Sequence, residues 1–145
     1  GPTAFVRAMN AKAKALGMTR SRFADPTGLS SGNVASARDL VKLVKAASAD
    51  PVIRKYSTDA RHTVVAGRQQ VEFRNTNTLV AKPDWDIAVQ KTGYTVAAGQ
   101  CLGMNTVIDG RSVVIVLLNS FGKYTRVADA RRIRKWLEAA RRSET

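Results

Sequence analysis

Lys91, Thr92 and Gly93 stand in a row, and together they carry the sharpest chemical signal in the sequence. An ammonium, a hydroxyl and a residue without a side chain suit a bound carboxylate. The lysine supplies charge, the threonine donates a hydrogen bond, and the glycine lets a substrate backbone come close. The stretch from Ile87 to Thr92 reads as a strand, so the residues around its end would offer main-chain N–H and C=O groups to an extended peptide. One of those N–H groups could face a developing oxyanion. Side chains alternate along a regular strand, so Lys91 and Thr92 are expected on opposite faces unless Gly93 distorts it. A tripeptide by itself is weak evidence, and its setting has to support it.

Other chemistry is sparse. The chain has one cysteine, Cys101, and one histidine, His62. That leaves no internal disulfide and no zinc-type Cys/His set, so neither a metal nor a redox cofactor is implied. Cys101 lies in an apolar strand and reads as core, and His62 reads as structural or exposed. Charge is lopsided, with 24 Lys+Arg against 11 Asp+Glu and a formal net charge of +13. Such a surface attracts polyanions. Much of the excess sits in Arg126, Arg131, Arg132, Arg134, Lys135, Arg141 and Arg142, which reads as a solvated helix face. No aromatic interleaving or reading motif accompanies it, so a nucleic-acid partner is not expected. No stretch approaches the roughly 18 apolar residues of a membrane span. The first residues, Gly1-Pro2-Thr3, lack a signal-peptide layout, so an exported parent would have lost its leader.

The elements that must position these residues follow from period and punctuation. Phe5, Val6, Met9, Ala13 and Leu16 recur at helical spacing over 3–16, and Gly17 supplies a stop. Residues 18–35 form a loop centred on Asp25-Pro26-Thr27-Gly28-Leu29. Ser36 is an N-cap, with Asp39 placed to complete a capping box. Asp50-Pro51 opens a second, shorter helix. The period then changes. His62–Ala66 and Gln70–Phe73 read as a hairpin around Gly67. Gln100–Ile108 and Arg111–Asn119 read as strands joined by the turn Asp109-Gly110, and 124–141 as an amphipathic helix with Val127, Ala130, Ile133, Trp136 and Leu137 on its apolar face. Helices, then an antiparallel sheet, then a helix packed on that sheet make an α+β chain. Residues 1–60 form the helical part of a single unit and 61–145 the sheet and final helix.

Around Lys91-Thr92-Gly93-Tyr94-Thr95, the chain resembles the D-alanyl-D-alanine carboxypeptidase/endopeptidase family of low-molecular-mass penicillin-binding proteins. The matching pieces include Ala15-Leu16-Gly17-Met18, Phe23-Ala24-Asp25-Pro26-Thr27-Gly28-Leu29 and Asn33-Val34-Ala35-Ser36-Ala37-Arg38-Asp39-Leu40. Later come Asn75-Thr76-Asn77 and Ala97-Ala98-Gly99-Gln100-Cys101-Leu102. Trp85-Asp86-Ile87 and Gly122-Lys123-Tyr124-Thr125-Arg126 are similar to the endopeptidase branch in particular. The resemblance implies a β-lactamase/transpeptidase-like fold and a periplasmic or exported serine enzyme that hydrolyses peptidoglycan cross-links through an acyl-enzyme. It also implies peptidoglycan stem peptides as substrates and β-lactams as inhibitors. A carboxypeptidase removing terminal D-alanine is the near alternative, and a class A β-lactamase fits the flanking residues less well. By the same resemblance, Lys91 tunes the proton relay, Thr92 holds a substrate carboxylate or carbonyl, Gly93 keeps the edge open, and the Tyr94 N–H is an oxyanion donor. Thr95 and Arg126 contact substrate, although Arg126 could equally be a plain helix-start charge.

The sequence departs from the family pattern in one respect. No Ser-x-x-Lys lies ahead of Lys91-Thr92-Gly93, where the family pattern has it; the one such spelling, Ser120-Phe121-Gly122-Lys123, follows that motif at the end of the last strand. Ser31-Gly32-Asn33 spells the second family motif, but after the Gly28-Leu29 loop, where it reads as part of that loop. The expectation is a chain that supplies one wall of a cleft, with the nucleophile in a preceding segment of the same protein. Alone, the chain would be inactive, leaving a basic binding module as the other reading. It would also fold poorly, because the apolar strand 113–118 would lack a neighbour.

Overall fold

The computed structural model describes residues 1–144. Helix α1 spans Pro2–Ala15, with proline at its first turn. The expected apolar stripe is barely covered: only Ala13 is buried, and Phe5 is 59% exposed. Amphipathic spacing shapes the helix, but the partner for that face is not among the described residues. The loop after Gly17 is held from both sides. The Asn10 side chain donates to Phe23 O and accepts from Phe23 N, each at 2.8 Å. Arg22 and Val34 form an antiparallel bridge. Asn33 Oδ1 accepts from the Ala24 and Asp25 amides, and its Nδ2 donates to the Asp25 carboxylate. Ser31-Gly32-Asn33 is therefore loop clasp. Hydrogen bonds from Thr27 and Asn33 hold the Asp25 carboxyl at about 2, below its usual 3.8.

Helix α2, Ala37–Ala47, starts as its sequence demands, with Ser36 Oγ accepting from the Asp39 amide at 3.1 Å. The capping box itself does not close. The Asp39 carboxylate turns away and accepts from Arg20 N and Ser21 Oγ, both at 2.7 Å, with the Lys42 ammonium 3.9 Å away. The Ser21 hydrogen bond leads the causes that lower its pKa. An aspartate is one methylene too short to reach back to the cap, and a nearer pair of donors captures it. Helix α3, Pro51–Thr58, is capped by Asp50, which accepts from Val52 N and Ile53 N.

Strands β1 (Arg61–Ala66) and β2 (Gln69–Arg74) form a two-stranded antiparallel hairpin whose residues are all exposed. His62 lies there, exposed. A single 3₁₀ turn, Thr78–Ala81, buries Leu79 completely. A three-stranded antiparallel sheet follows, in the order β3 (Asp86–Thr95), β4 (Gly99–Ile108), β5 (Arg111–Ser120). Asp109 and Gly110 both have positive φ, 50° and 74°, as the tight hairpin between β4 and β5 needs. Strand β5 is an edge, and of its residues only Ile115 is buried. Helix α4, Thr125–Arg142, covers one face of the sheet. There Leu79, Trp85, Leu102, Met104, Ile108, Ile115 and Ala130 form the core, with Val127, Ile133 and Leu137 packed on it. Trp136 departs from expectation at 69% exposed. Its neighbour Arg134 instead lies over the Trp85 ring, 4.8 Å from its centroid. The opposite face is only partly covered, by α2 and α3. Cys101, expected as core, is half-buried on that face.

Candidate active site

Strand β3 runs three residues beyond the Thr92 end expected for it, so Lys91-Thr92-Gly93 sits mid-strand. Pairing with β4 is regular from Val89 to Thr95, including Lys91↔Gly103, Gly93↔Cys101 and Tyr94↔Gln100. Gly93 does not interrupt this pairing.

The other edge of β3 is open beyond its first residues. At Gln90 the main-chain N–H leaves the sheet and donates to Ser57 Oγ at 3.3 Å. The two-residue period of an antiparallel strand then turns the N–H and C=O of Thr92 and Tyr94 the same way, outward. Those outward groups are a template for an extended peptide. Lys91 Nζ already sits on one of them, donating to Thr92 O at 2.5 Å. Tyr94 is 60% exposed.

A polar knot fixes this edge. Gln90 Nε2 donates to Ser57 O at 2.6 Å and Asn75 Oδ1 at 3.0 Å. Asn75 Nδ2 in turn donates to Ser57 O and Asp59 O, each at 3.0 Å. Next along the chain, the Thr76 and Thr92 hydroxyls are 2.5 Å apart. Ser57, Gln90 and Thr76 were not singled out from the sequence. The only pointer was Asn75-Thr76-Asn77, quoted for resemblance and given no role.

Lys91, Thr92 and Gly93 also line an apolar cleft of about 420 Å³ between the sheet and helix α2, with Leu40, Val44 and Leu118 among its walls. Gly103 keeps the cleft tight, since a Cβ there would lie 3.2 Å from Val44 Cγ2. Thr95 Oγ1 accepts from the Ala98 amide at 3.1 Å and closes the β3–β4 turn. Arg126 lies at the second position of α4, 6% exposed. Its Nη1 donates to Gln100 Oε1 at 2.8 Å and to Cys101 O at 3.3 Å, with Gly93 O at 3.5 Å. A cation at a helix N-terminus opposes the helix dipole, and here these acceptor oxygens hold it. Among the described residues neither Lys91 nor Arg126 has a carboxylate partner. The two cations leave this end of β3 electropositive.

The family model described as D-alanyl-D-alanine carboxypeptidase, peptidase family S11, matches residues 1–122. The chain belongs to this family. Among its S11 relatives, the D-alanyl-D-alanine endopeptidase of Escherichia coli is 48% identical over 143 residues, covering 97% of this chain and 46% of the relative. The D-alanyl-D-alanine endopeptidase of Pseudomonas aeruginosa is 49% identical over 140 residues, covering 95% and 45%. This chain thus spans about half the length of the curated relatives it matches. Penicillin-binding protein D2 of Listeria monocytogenes, solved in a cefotaxime-bound form, superposes with a TM-score of 0.76 at 26% identity, covering 90% of this chain and 53% of that one. The fold is that of penicillin-binding proteins, as the resemblance implied.

Proposed function

We propose that this chain is the substrate-facing half of a serine DD-endopeptidase that cuts D-alanyl cross-links in the peptidoglycan of the periplasm. The observation that carries this reading is the free edge of β3, with Lys91-Thr92-Gly93 lining an apolar cleft and Tyr94 next along the same edge. It occurs in a chain close to half identical to proteins named D-alanyl-D-alanine endopeptidase. A stem peptide lies extended along the outward groups of Thr92 and Tyr94. In the family order the attacking serine and its lysine precede the Lys91 motif, whereas Ser120-Phe121-Gly122-Lys123 follows it at the end of β5, so on this reading they come from polypeptide outside these 145 residues, seated in the apolar cleft so that the hydroxyl meets the Lys91 side of the strand. The serine oxygen adds to the D-alanyl carbonyl, and the Tyr94 N–H and the serine's own N–H receive the oxyanion. The amine of the second stem peptide leaves with a proton, and water then releases the acyl group. Lys91 holds positive charge beside the proton path, Thr92 and Thr95 position the peptide, and Arg126 receives a carboxylate on the leaving side. β-Lactams follow the same route to a stable acyl-enzyme, in keeping with the cefotaxime-bound relative.

Fluorescent penicillin tests this directly. The 145-residue chain alone takes no covalent label, whereas the intact polypeptide takes one label per molecule. The intact protein also releases monomers from cross-linked muropeptide dimers faster than it releases D-alanine from a pentapeptide. The reverse preference makes it a carboxypeptidase, and an intact protein that never labels is not a serine DD-peptidase.

A further inference from the structure

Arg126 poses a problem that its assigned role does not solve. Its guanidinium is buried, its Nε is buried without a hydrogen-bond partner, and no carboxylate faces it among the described residues. A buried charge in that state is costly, and an unsatisfied buried donor in a folded protein calls for a reason. Its shortest hydrogen bond goes to Gln100, whose Oε1 accepts from Nη1 at 2.8 Å. Gln100 pairs with Tyr94 on β3 and with Ser120 on β5, just before an irregularity in the β4–β5 register. Such irregularities re-aim side chains. A glutamate at this place would have nearly the same shape and would pair with the arginine outright. The sequence places the neutral amide there instead.

We infer that Gln100 is a positioning and specificity residue: its neutral amide seats Arg126 beside the Gly93–Cys101 rung without cancelling its charge, leaving a cationic receptor for a peptide carboxylate. The amide oxygen and the Cys101 carbonyl hold one guanidinium nitrogen, so the ring of donors cannot swing away. The charge itself stays uncompensated until substrate arrives. This rests on the reading of Arg126 as the carboxylate contact and assigns to its neighbour the discrimination between acid and neutral ligands.

The test uses the intact protein and two peptide substrates that differ only beside the scissile bond, one with a free carboxylate and one with the primary amide. The wild type prefers the acid. Gln100→Glu should lower that preference by tenfold or more, the scale of one hydrogen bond to a charged group. The change should appear in KM for the acid, with the amide substrate and kcat within about twofold. Gln100→Met keeps the charge but loosens the seat, and should lower the preference severalfold; it carries the test if the glutamate variant does not fold. Equal effects on acid and amide, or none, would overturn the inference. If Arg126→Gln abolishes the preference while Gln100→Glu leaves it intact, the carboxylate contact stands and Gln100 has no part in it. A wild type that does not distinguish acid from amide ends both.

Discussion

Gly99 and Gly110 make a controlled pair for measuring what the site end of the sheet tolerates. Both have φ near +70°, 71° and 74°. An alanine at either pays the left-handed penalty of about 1–2 kcal/mol. Their surroundings differ. A Cβ at Gly110 would meet nothing within 4 Å, whereas one at Gly99 would lie 2.4 Å from Asn119 Oδ1 and 3.0 Å from Asn119 Cα. The side-chain oxygen can turn aside, but the Cα can move only with the backbone of β5. Overpacking of that kind adds about 1–3 kcal/mol. Gly110→Ala in the intact protein should therefore cost about 1 kcal/mol and Gly99→Ala about 3 kcal/mol, read from urea denaturation with unchanged m-values. Because Gly99 pairs with Thr95 and precedes Gln100, its variant should also slow penicillin acylation, while the Gly110 variant at the far hairpin should not. Asn119 itself has φ 55°, so Asn119→Gly acts on stability in any background; with that single effect subtracted, it should couple to Gly99→Ala through the lost side-chain oxygen and not to Gly110→Ala, as expected only for residues in contact. Equal destabilisation of the two alanine variants, within about 0.5 kcal/mol, would refute the account of the Gly99–Asn119 contact.

Three further outcomes follow from the geometry. Thr76→Val removes the hydroxyl facing Thr92; it should change stability by less than about 1 kcal/mol at this exposed position yet lower the acylation rate severalfold, and a variant that acylates normally would show that Thr92 needs no such support. Asp25 is held at about 2 in the fold against 3.8, so its contribution is complete above pH 3.8 and is lost as the pH falls towards 2. Asp25→Asn should accordingly flatten that part of the acid limb and raise protease cleavage within 25–33 at neutral pH, and an unchanged acid limb would count against the clasp. Arg134→Ala removes the cation over Trp85 and the bond to Asp84 O, and should cost about 1–2 kcal/mol in thermal unfolding. No cost would mean that the stacked arginine is solvated as well as it is packed.

What the sequence disclosed was mostly local chemistry. Ser36, Asp50-Pro51 and Asp109-Gly110 act within a few residues of themselves, and each produced the cap or turn its type dictates. Asp39 and Trp136 were misplaced because their fates depend on distant partners. The carboxylate had closer donors in Arg20 and Ser21 than in its own helix. The α4 position under the core was already filled by Ile133 and Leu137, leaving the indole outside. Lys91-Thr92-Gly93 was visible as a motif, but its mid-strand setting was not, because the pairing of Tyr94 and Thr95 with β4 offsets the glycine that looked like a strand end. The polar knot of Ser57, Asn75 and Gln90 joins residues up to 33 apart, and nothing in the type or spacing of those residues announced it.

The ten-residue strand β5 has a practical consequence. Among the described residues its outer row of amides and carbonyls meets no other strand, and its middle is Val113-Val114-Ile115-Val116-Leu117-Leu118 with no charge among them. An apolar border of this kind is self-templating, and the first match it finds in a concentrated preparation is the same border on another molecule. The 145-residue piece should therefore go turbid as its concentration rises, and a lysine at an outward-facing point of that run should keep it clear.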